Sequence, residues 1–348
     1  MTKIGKILVF FITLIVVACS YNYDILPSEE PVIISTDNTT RLISNPITFK
    51  ATKSGIDITS EVEFYVNDIE LSNNVFISDV TGSFEVLAKH NGYFSEPITI
   101  TYHDGSQTNF KKRVLVEDYT GTWCGYCTRV SYAIEQLLLA TDAAIPVAIH
   151  RSSSVPTSGT YDPYNFDSSA LENILSTSGY PKAYLNRMTV WNSPQPSYIN
   201  QAVDLTNGDN PKLGLSLNSS VINNTIDLTV NVKISQNFSN LKMVVYVLEN
   251  GLYYSQKNYS SYYNAVNPIP NFEHNHVLRH CVTDLFGDTI NNNEFVNDVY
   301  SRNFSFTIPS NISDINNIEF VAFVVNENGD TINVRASHKD ENQDFEEI

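Results

Sequence analysis

The chain has 348 residues, of which 21 are basic and 38 acidic, for a formal net charge of −17. That balance excludes nucleic acid as a natural partner, because duplex binding draws on Lys and Arg displacing counterions from phosphates. The length exceeds one ordinary domain, so several cores are expected.

The first residues, MTKIGKILVFFITLIVVA, set two lysines ahead of an apolar run from Ile7 to Ala18. A run this short falls below the roughly 20 residues that span a bilayer core, so 1–18 reads as a secretory signal. Loss of Lys3 and Lys6 with it leaves 19 basic against 38 acidic residues. The segment Val16-Val17-Ala18-Cys19-Ser20 resembles a bacterial lipobox. That resemblance implies lipid attachment at Cys19 and a mature chain outside the cytoplasm, where disulfides persist. Residues 19–30 read as a lipidated tether, able to reach up to roughly 35 Å when extended.

From 31 to 104 short alternating runs follow one another, among them ITFKAT at Ile47, VEFYVND at Val62 and PITITYH at Pro97. Turn-rich breaks separate them and no helical period intervenes, which predicts a small antiparallel, immunoglobulin-like β-sandwich. Between 105 and 206 the pattern changes to strand (KRVLVEDY), helix (RVSYAIEQLLLA), strand (IPVAIH), helix (Ser168 to Ser176) and strand (KAYLN). Val130, Ala133, Ile134, Leu137 and Leu138 share the inner face of the first helix. This alternation predicts a central α/β domain. From 207 to 348 alternation returns, with a hairpin signal at Asn223-Asn224, and a second β-sandwich is expected. The polar run from Ser255 to Asn271 reads as a surface loop. The whole is a multidomain α+β chain.

The chemistry-bearing stretch is YTGTWCGYCTR, Tyr119 to Arg129, which holds two of the four cysteines. Cys124 and Cys127 lie where a strand gives way to a helix. The free N–H groups and positive dipole end of a helix start stabilise a thiolate. A spacing of three sets a second sulfur one turn away, where it can resolve a mixed disulfide. Cys124 is then the nucleophile and Cys127 the resolving thiol. A structural zinc site wants four ligands, and Cys281 with His274, His276 and His280 lies in the distant β-rich part. Alternation sets those three histidines on one strand face. The prevailing reading is polar residues beside a half-buried strand, with a local metal site as the alternative. Neither metal nor cofactor is expected at the cysteine pair.

VLVEDYTGTWCGYC, with the helix, buried strand and GYPKAYLN that follow, resembles a thioredoxin-like domain. The resemblance implies that Trp123, Cys124 and Cys127 are the active-site tryptophan and redox pair, Pro181 the cis-proline, and Asp118 the buried acid. Asp118 would shuttle a proton for Cys127. Tyr180, before the proline, would face the dithiol and expose backbone to an extended substrate. Glu117 points to the opposite face and reads as solvent-facing. His150 and Arg151 end the neighbouring strand; an ordinary polar strand end is the prevailing reading, and a place near the sulfurs, favouring the thiolate and lining the substrate site, is the alternative. Tyr126 departs from the family's usual proline, and the insertion RSSSVPTSGTYDPYNFD, with Tyr161, Tyr164 and Phe166, is expected as a lid or a plain loop. Over nearly the whole chain, the lipobox, EDYTGTWCGYC, YPKAYLNR and HNHVLRH resemble the outer membrane protein 28-related lipoproteins. Two functions compete. One is an anchored thiol-disulfide oxidoreductase acting on extracytoplasmic proteins with thiols or disulfides. The other is a non-catalytic binding or adhesion lipoprotein, motivated by NGLYYSQKNYSSYYN.

Overall fold

A computed structural model describes residues 30–152 and 159–348. The signal, the lipidation at Cys19 and the tether up to residue 29 lie outside the described residues.

The first unit contains Val32–Thr36 (β1), Thr40–Leu42 (β2), Ile47–Lys53 (β3), Glu63–Val66 (β4), Gly82–His90 (β5) and Ile98–His103 (β6). With several two-residue strands they form a four-stranded sheet around β3 and a six-stranded sheet around β5. Period-two alternation turns Ile47, Phe49 and Ala51 of β3 inward. There they share one core with Phe64, Val86, Ala88, Ile100 and Tyr102 of the other sheet. One pairing, β2 with β6, is parallel, where antiparallel pairing throughout was expected.

The remaining chain supplies Val114–Thr120 (β7), helix Thr128–Ala140 (α1), Ala144–His150 (β8), helix Ser169–Glu172 (α2), Lys182–Leu185 (β9), Thr189–Val190 (β10) and helix Ile199–Asp204 (α3). Leu213–Ile222 (β11), Thr225–Ile234 (β12), Lys242–Glu249 (β13), Leu252–Gln256 (β14) and Ile269–His274 (β15) follow. The last are Val277–Cys281 (β16), Val299–Thr307 (β17), Ile318–Val325 (β18) and Thr331–His338 (β19).

These strands overturn the expected fold class. Among the described residues there is no separate central thioredoxin-like α/β domain followed by an independent β-sandwich. Instead β10-β9-β7-β8-β16-β13-β18-β19 run side by side in one nine-stranded sheet, completed by Asp288–Thr289. The join is the parallel pairing of β8 with β16 through Ala148 and Val277. The physical reason is a shared core. Leu115, Tyr119, Val147, Ile149 and Tyr184 from the first half form one cluster with Val244, Tyr246, Leu278, Val321 and Phe323 from the second. Among the described residues the helices are short apart from α1, with 13, 4 and 6 residues, so the architecture is β-rich. None is long and apolar enough to cross a membrane.

Two elements cover the other face of this sheet. On β7, β8 and β9, Val114, Val116, Ala144 and Leu185 pack against Val130, Ala133, Ile134 and Leu137 of α1 and Ala202 of α3. On β13 and β18, Met243, Val245, Phe320 and Ala322 pack against the three-stranded sheet β11-β12-β17. Leu138, expected on the inner face of α1, is exposed.

Candidate functional site

The chain leaves β7, turns through residues 121–127 and enters α1, whose first residue follows Cys127. The turn closes with Cys124 N–H donating to Gly121 O at 2.9 Å and Cys127 N–H to Cys124 O at 3.2 Å. Cys124 and Cys127 are joined by a disulfide. Helix α1 therefore begins at the second sulfur, and the first lies in the preceding turn. Both cysteines are buried, at 4% and 1% exposure.

What buries them is the segment expected as a free surface loop. Gln256 Nε2 donates to Cys124 O at 3.0 Å and Gly121 O at 3.3 Å, and Lys257 N–H to Thr122 O at 2.9 Å. Tyr259 N–H donates to Gly125 O at 2.6 Å, and its ring lies where a Cβ on Gly125 would come within 2.2 Å. The buried Thr128 hydroxyl donates to Asn258 Oδ1 at 2.8 Å, and Tyr262 stacks on Tyr132 at 4.5 Å. Residues 256–263 thus form a roof over the cystine turn. The one sign of it in the sequence is the density of Tyr and Asn in NGLYYSQKNYSSYYN.

Trp123 donates its indole N–H to Arg151 O at 2.7 Å and meets the Tyr180 ring edge-on at 5.4 Å. The Tyr180-Pro181 bond is cis, and the Tyr180 hydroxyl donates to Glu172 at 2.7 Å. Glu172 also binds Lys182 at 2.7 Å and Arg151 at 3.0 Å. Arg151 therefore spends its guanidinium on carboxylates, Asp167 at 2.8 Å being the other.

His150 is buried and is held at Nδ1 by Asp162, 2.8 Å away. The same Asp162 oxygen accepts from Thr122 N–H at 2.7 Å. So His150 reaches the cystine turn through Asp162, a residue that sequence reasoning missed although it lies within the noted insertion. The ring of His150 stands edge-on to Tyr164 and to His274, at 5.6 and 5.2 Å.

Asp118 is buried on the α1 face of β7, with no partner for Oδ1. Burial raises its pKa to about 8. Glu117, expected to face solvent, is fully buried on the other face. There Tyr246 donates to it at 3.3 Å and Arg187 lies 3.8 Å away. The three histidines do not share a strand face. His274 ends β15, His276 occupies the turn with φ 56°, and His280 belongs to β16. The Cys281 thiol donates to Thr283 O at 3.2 Å, and burial raises its pKa to about 11. Among the described residues, no three His, Cys, Asp or Glu side chains are arranged to hold a metal ion.

Beside the roof an open groove of about 440 Å³ is lined by Trp123, Tyr161, Tyr254, Tyr259 and Pro268. Of its lining, Tyr254 and Tyr259 are 40% and 56% exposed; Tyr126, 54% exposed, meets the Tyr259 ring edge-on at 5.7 Å, and Tyr253, 60% exposed, stands on the opposite face of β14 from Tyr254.

Fold and site together define a β-rich protein of several sheets that carries a shielded cystine under an aromatic face. A family model described as outer membrane protein Omp28 matches residues 168–343, and the chain belongs to that family. It is accordingly an outer-membrane protein. HBP35 of Porphyromonas gingivalis shares its fold at 18% identity and a TM-score of 0.55, over 67% of this chain and 77% of that one. A domain of the outer membrane lipoprotein Omp28 from Porphyromonas gingivalis matches at 18% identity, over 39% of this chain and 95% of that one, with a TM-score of 0.27. A protein from Agrobacterium tumefaciens matches at 12% identity, over 66% and 96% of the chains, with a TM-score of 0.41. No curated protein matches the chain significantly.

Proposed function

We propose that this outer-membrane lipoprotein is a non-catalytic binding protein, anchored through Cys19, which presents the aromatic face around residues 123–126 and 253–268 to an extracytoplasmic protein. The observation that carries this reading is the burial of Cys124 and Cys127 beneath the 256–263 roof. A working dithiol needs a partly exposed attacking sulfur, whereas a buried pair is inert. Here the disulfide is a local staple within the turn, and the groove is held by the roof's own hydrogen bonds to that turn. Tyr and Trp supply large contact area at small entropic cost, which suits Tyr126, Tyr253, Tyr254 and Trp123 to an interface.

The test uses the full chain in detergent over immobilised envelope and extracellular proteins. Three forms are compared: the parent, Tyr126→Ser/Tyr253→Ser/Tyr254→Ser, and Cys124→Ser/Cys127→Ser. Retention of the aromatic variant should fall at least about tenfold, a weight typical of interface aromatics, while the cysteine variant binds like the parent. Binding that follows the cysteines and ignores the tyrosines overturns the reading.

One observation favours thiol-disulfide exchange as a second reading. Asp118, on the strand leading into the turn, is a buried acid whose pKa of about 8 lets it hold and release a proton near neutrality. In that reading the roof must lift before Cys124 is reached.

A further inference from the structure

A separate cavity of about 130 Å³ lies under the β14–β15 hairpin, against β7, β8 and α1. Exposed Glu135, Leu138 and Glu273 form its rim, and Asp118, His150 and His274 its buried floor. Neither Lys nor Arg lines it.

Two floor residues are unsatisfied. Asp118 is 2% exposed and His274 5%, yet Asp118 Oδ1 and His274 Nε2 have no hydrogen-bond partner. Nearly all buried polar groups are paired, and one left unpaired costs about 1–3 kcal/mol. His274 Nε2 stands without a partner at the cavity floor and can accept a hydrogen bond from a donor there. His150 commits Nδ1 to Asp162. The floor therefore offers an unpartnered carboxyl and an unpartnered imidazole nitrogen, and an anion entering it would meet Asp118, Glu135 and Glu273. A cation that donates N–H groups would satisfy both unpartnered atoms.

We propose that this cavity binds a small primary ammonium ion, its N–H groups donating to Asp118 and His274 and its short alkyl chain lying along Ile134, Leu138 and Phe272. The volume approaches the roughly 150 Å³ that admits a benzene-sized guest. Free of ligand, Asp118 is protonated at neutral pH and His274 is neutral, since burial moves their pKa values to about 8 and about 3. The titratable groups facing Asp118 are Glu135 and Tyr263 beside α1, His150 on β8, and Glu273, His274 and His276 on the hairpin. An incoming ammonium favours the ionised carboxylate, so binding expels the Asp118 proton to solvent as the cation takes its place. This site goes beyond the aromatic face and shares neither Tyr126, Tyr253 nor Tyr254 with it.

The experiment is calorimetry of the full chain in detergent at pH 7 with n-butylammonium, n-butanol and butyrate, in phosphate and in MOPS. Butylammonium should bind at least about tenfold more tightly than butanol, the weight of one charge-assisted contact, with butyrate silent. The buffer dependence should report about one proton released per cation. Asp118→Asn should lose that preference and the proton release together. Butanol binding as tightly as butylammonium, or full affinity in Asp118→Asn, overturns the proposal. The ligand comparison needs only the parent chain, and its failure leaves the tyrosine-dependent binding untouched.

Discussion

Asp118 and His274 impose opposite pH dependences on stability. Asp118 keeps its proton in the folded chain up to about pH 8, whereas unfolded it ionises near its model value of 3.8. Its contribution is complete below about pH 4 and is lost as pH rises toward 8. His274 stays neutral in the fold down to about pH 3, whereas unfolded it takes a proton below 6.5. Its contribution is therefore lost as pH falls from 6.5 toward 3. Between about pH 4 and 6.5 the two slopes oppose each other, and above that Asp118 acts alone. Asp118→Asn should gain on the parent by up to about 1.4 kcal/mol per pH unit between about pH 4 and 8. Urea unfolding at pH 5, 6.5 and 8 measures the gain, and a constant difference contradicts the burial. Asp118 was marked as the buried acid by the thioredoxin-like resemblance, and it is buried. Glu117 was misread because nothing local tells of Tyr246 and Arg187, which come from 129 and 70 positions further along the chain and cover the second face.

The cystine turn depends on its roof. A methyl group on Gly125 would fall 2.2 Å from Tyr259 Cδ2, so Gly125→Ala should push the ring away and open a path to the sulfurs. Reduction by dithiothreitol, followed by thiol labelling, should run at least about tenfold faster than in the parent, since access limits attack on a buried disulfide. An unchanged rate would mean that the roof does not shield the pair. The helix α1 was legible through its regular apolar period, and the strands β7, β8 and β9 through short β-branched or apolar runs bounded by turn signals. The second expected helix shrinks to Ser169–Glu172, and the 256–263 roof could not be read. Its attachment rests on backbone and amide hydrogen bonds to residues some 130 positions away, and such bonds leave no periodic trace.

At the scale of the molecule, the sequence offered three domains in a row where the structure weaves two of them into one sheet. The switch from strand-helix to strand-strand patterning near residue 207 was real. It marks a change in what covers the sheet, helices on β7 to β9 and a second sheet on β13 and β18, and the sheet itself continues. The first unit joins this body through Asp298, which accepts from Leu42 N–H at 3.2 Å and binds His103 at 2.8 Å and Arg41 at 3.5 Å. First unit and woven body form a scaffold that carries the aromatic face at residues 123–126 and 253–268. The central claim is that this face binds while the cystine beneath it stays out of chemistry. Insulin reduction tests it most directly, with the full chain and Cys124→Ser compared in the presence of dithiothreitol. The account predicts the same onset of precipitation for both. A parent that precipitates insulin sooner than Cys124→Ser would contradict it.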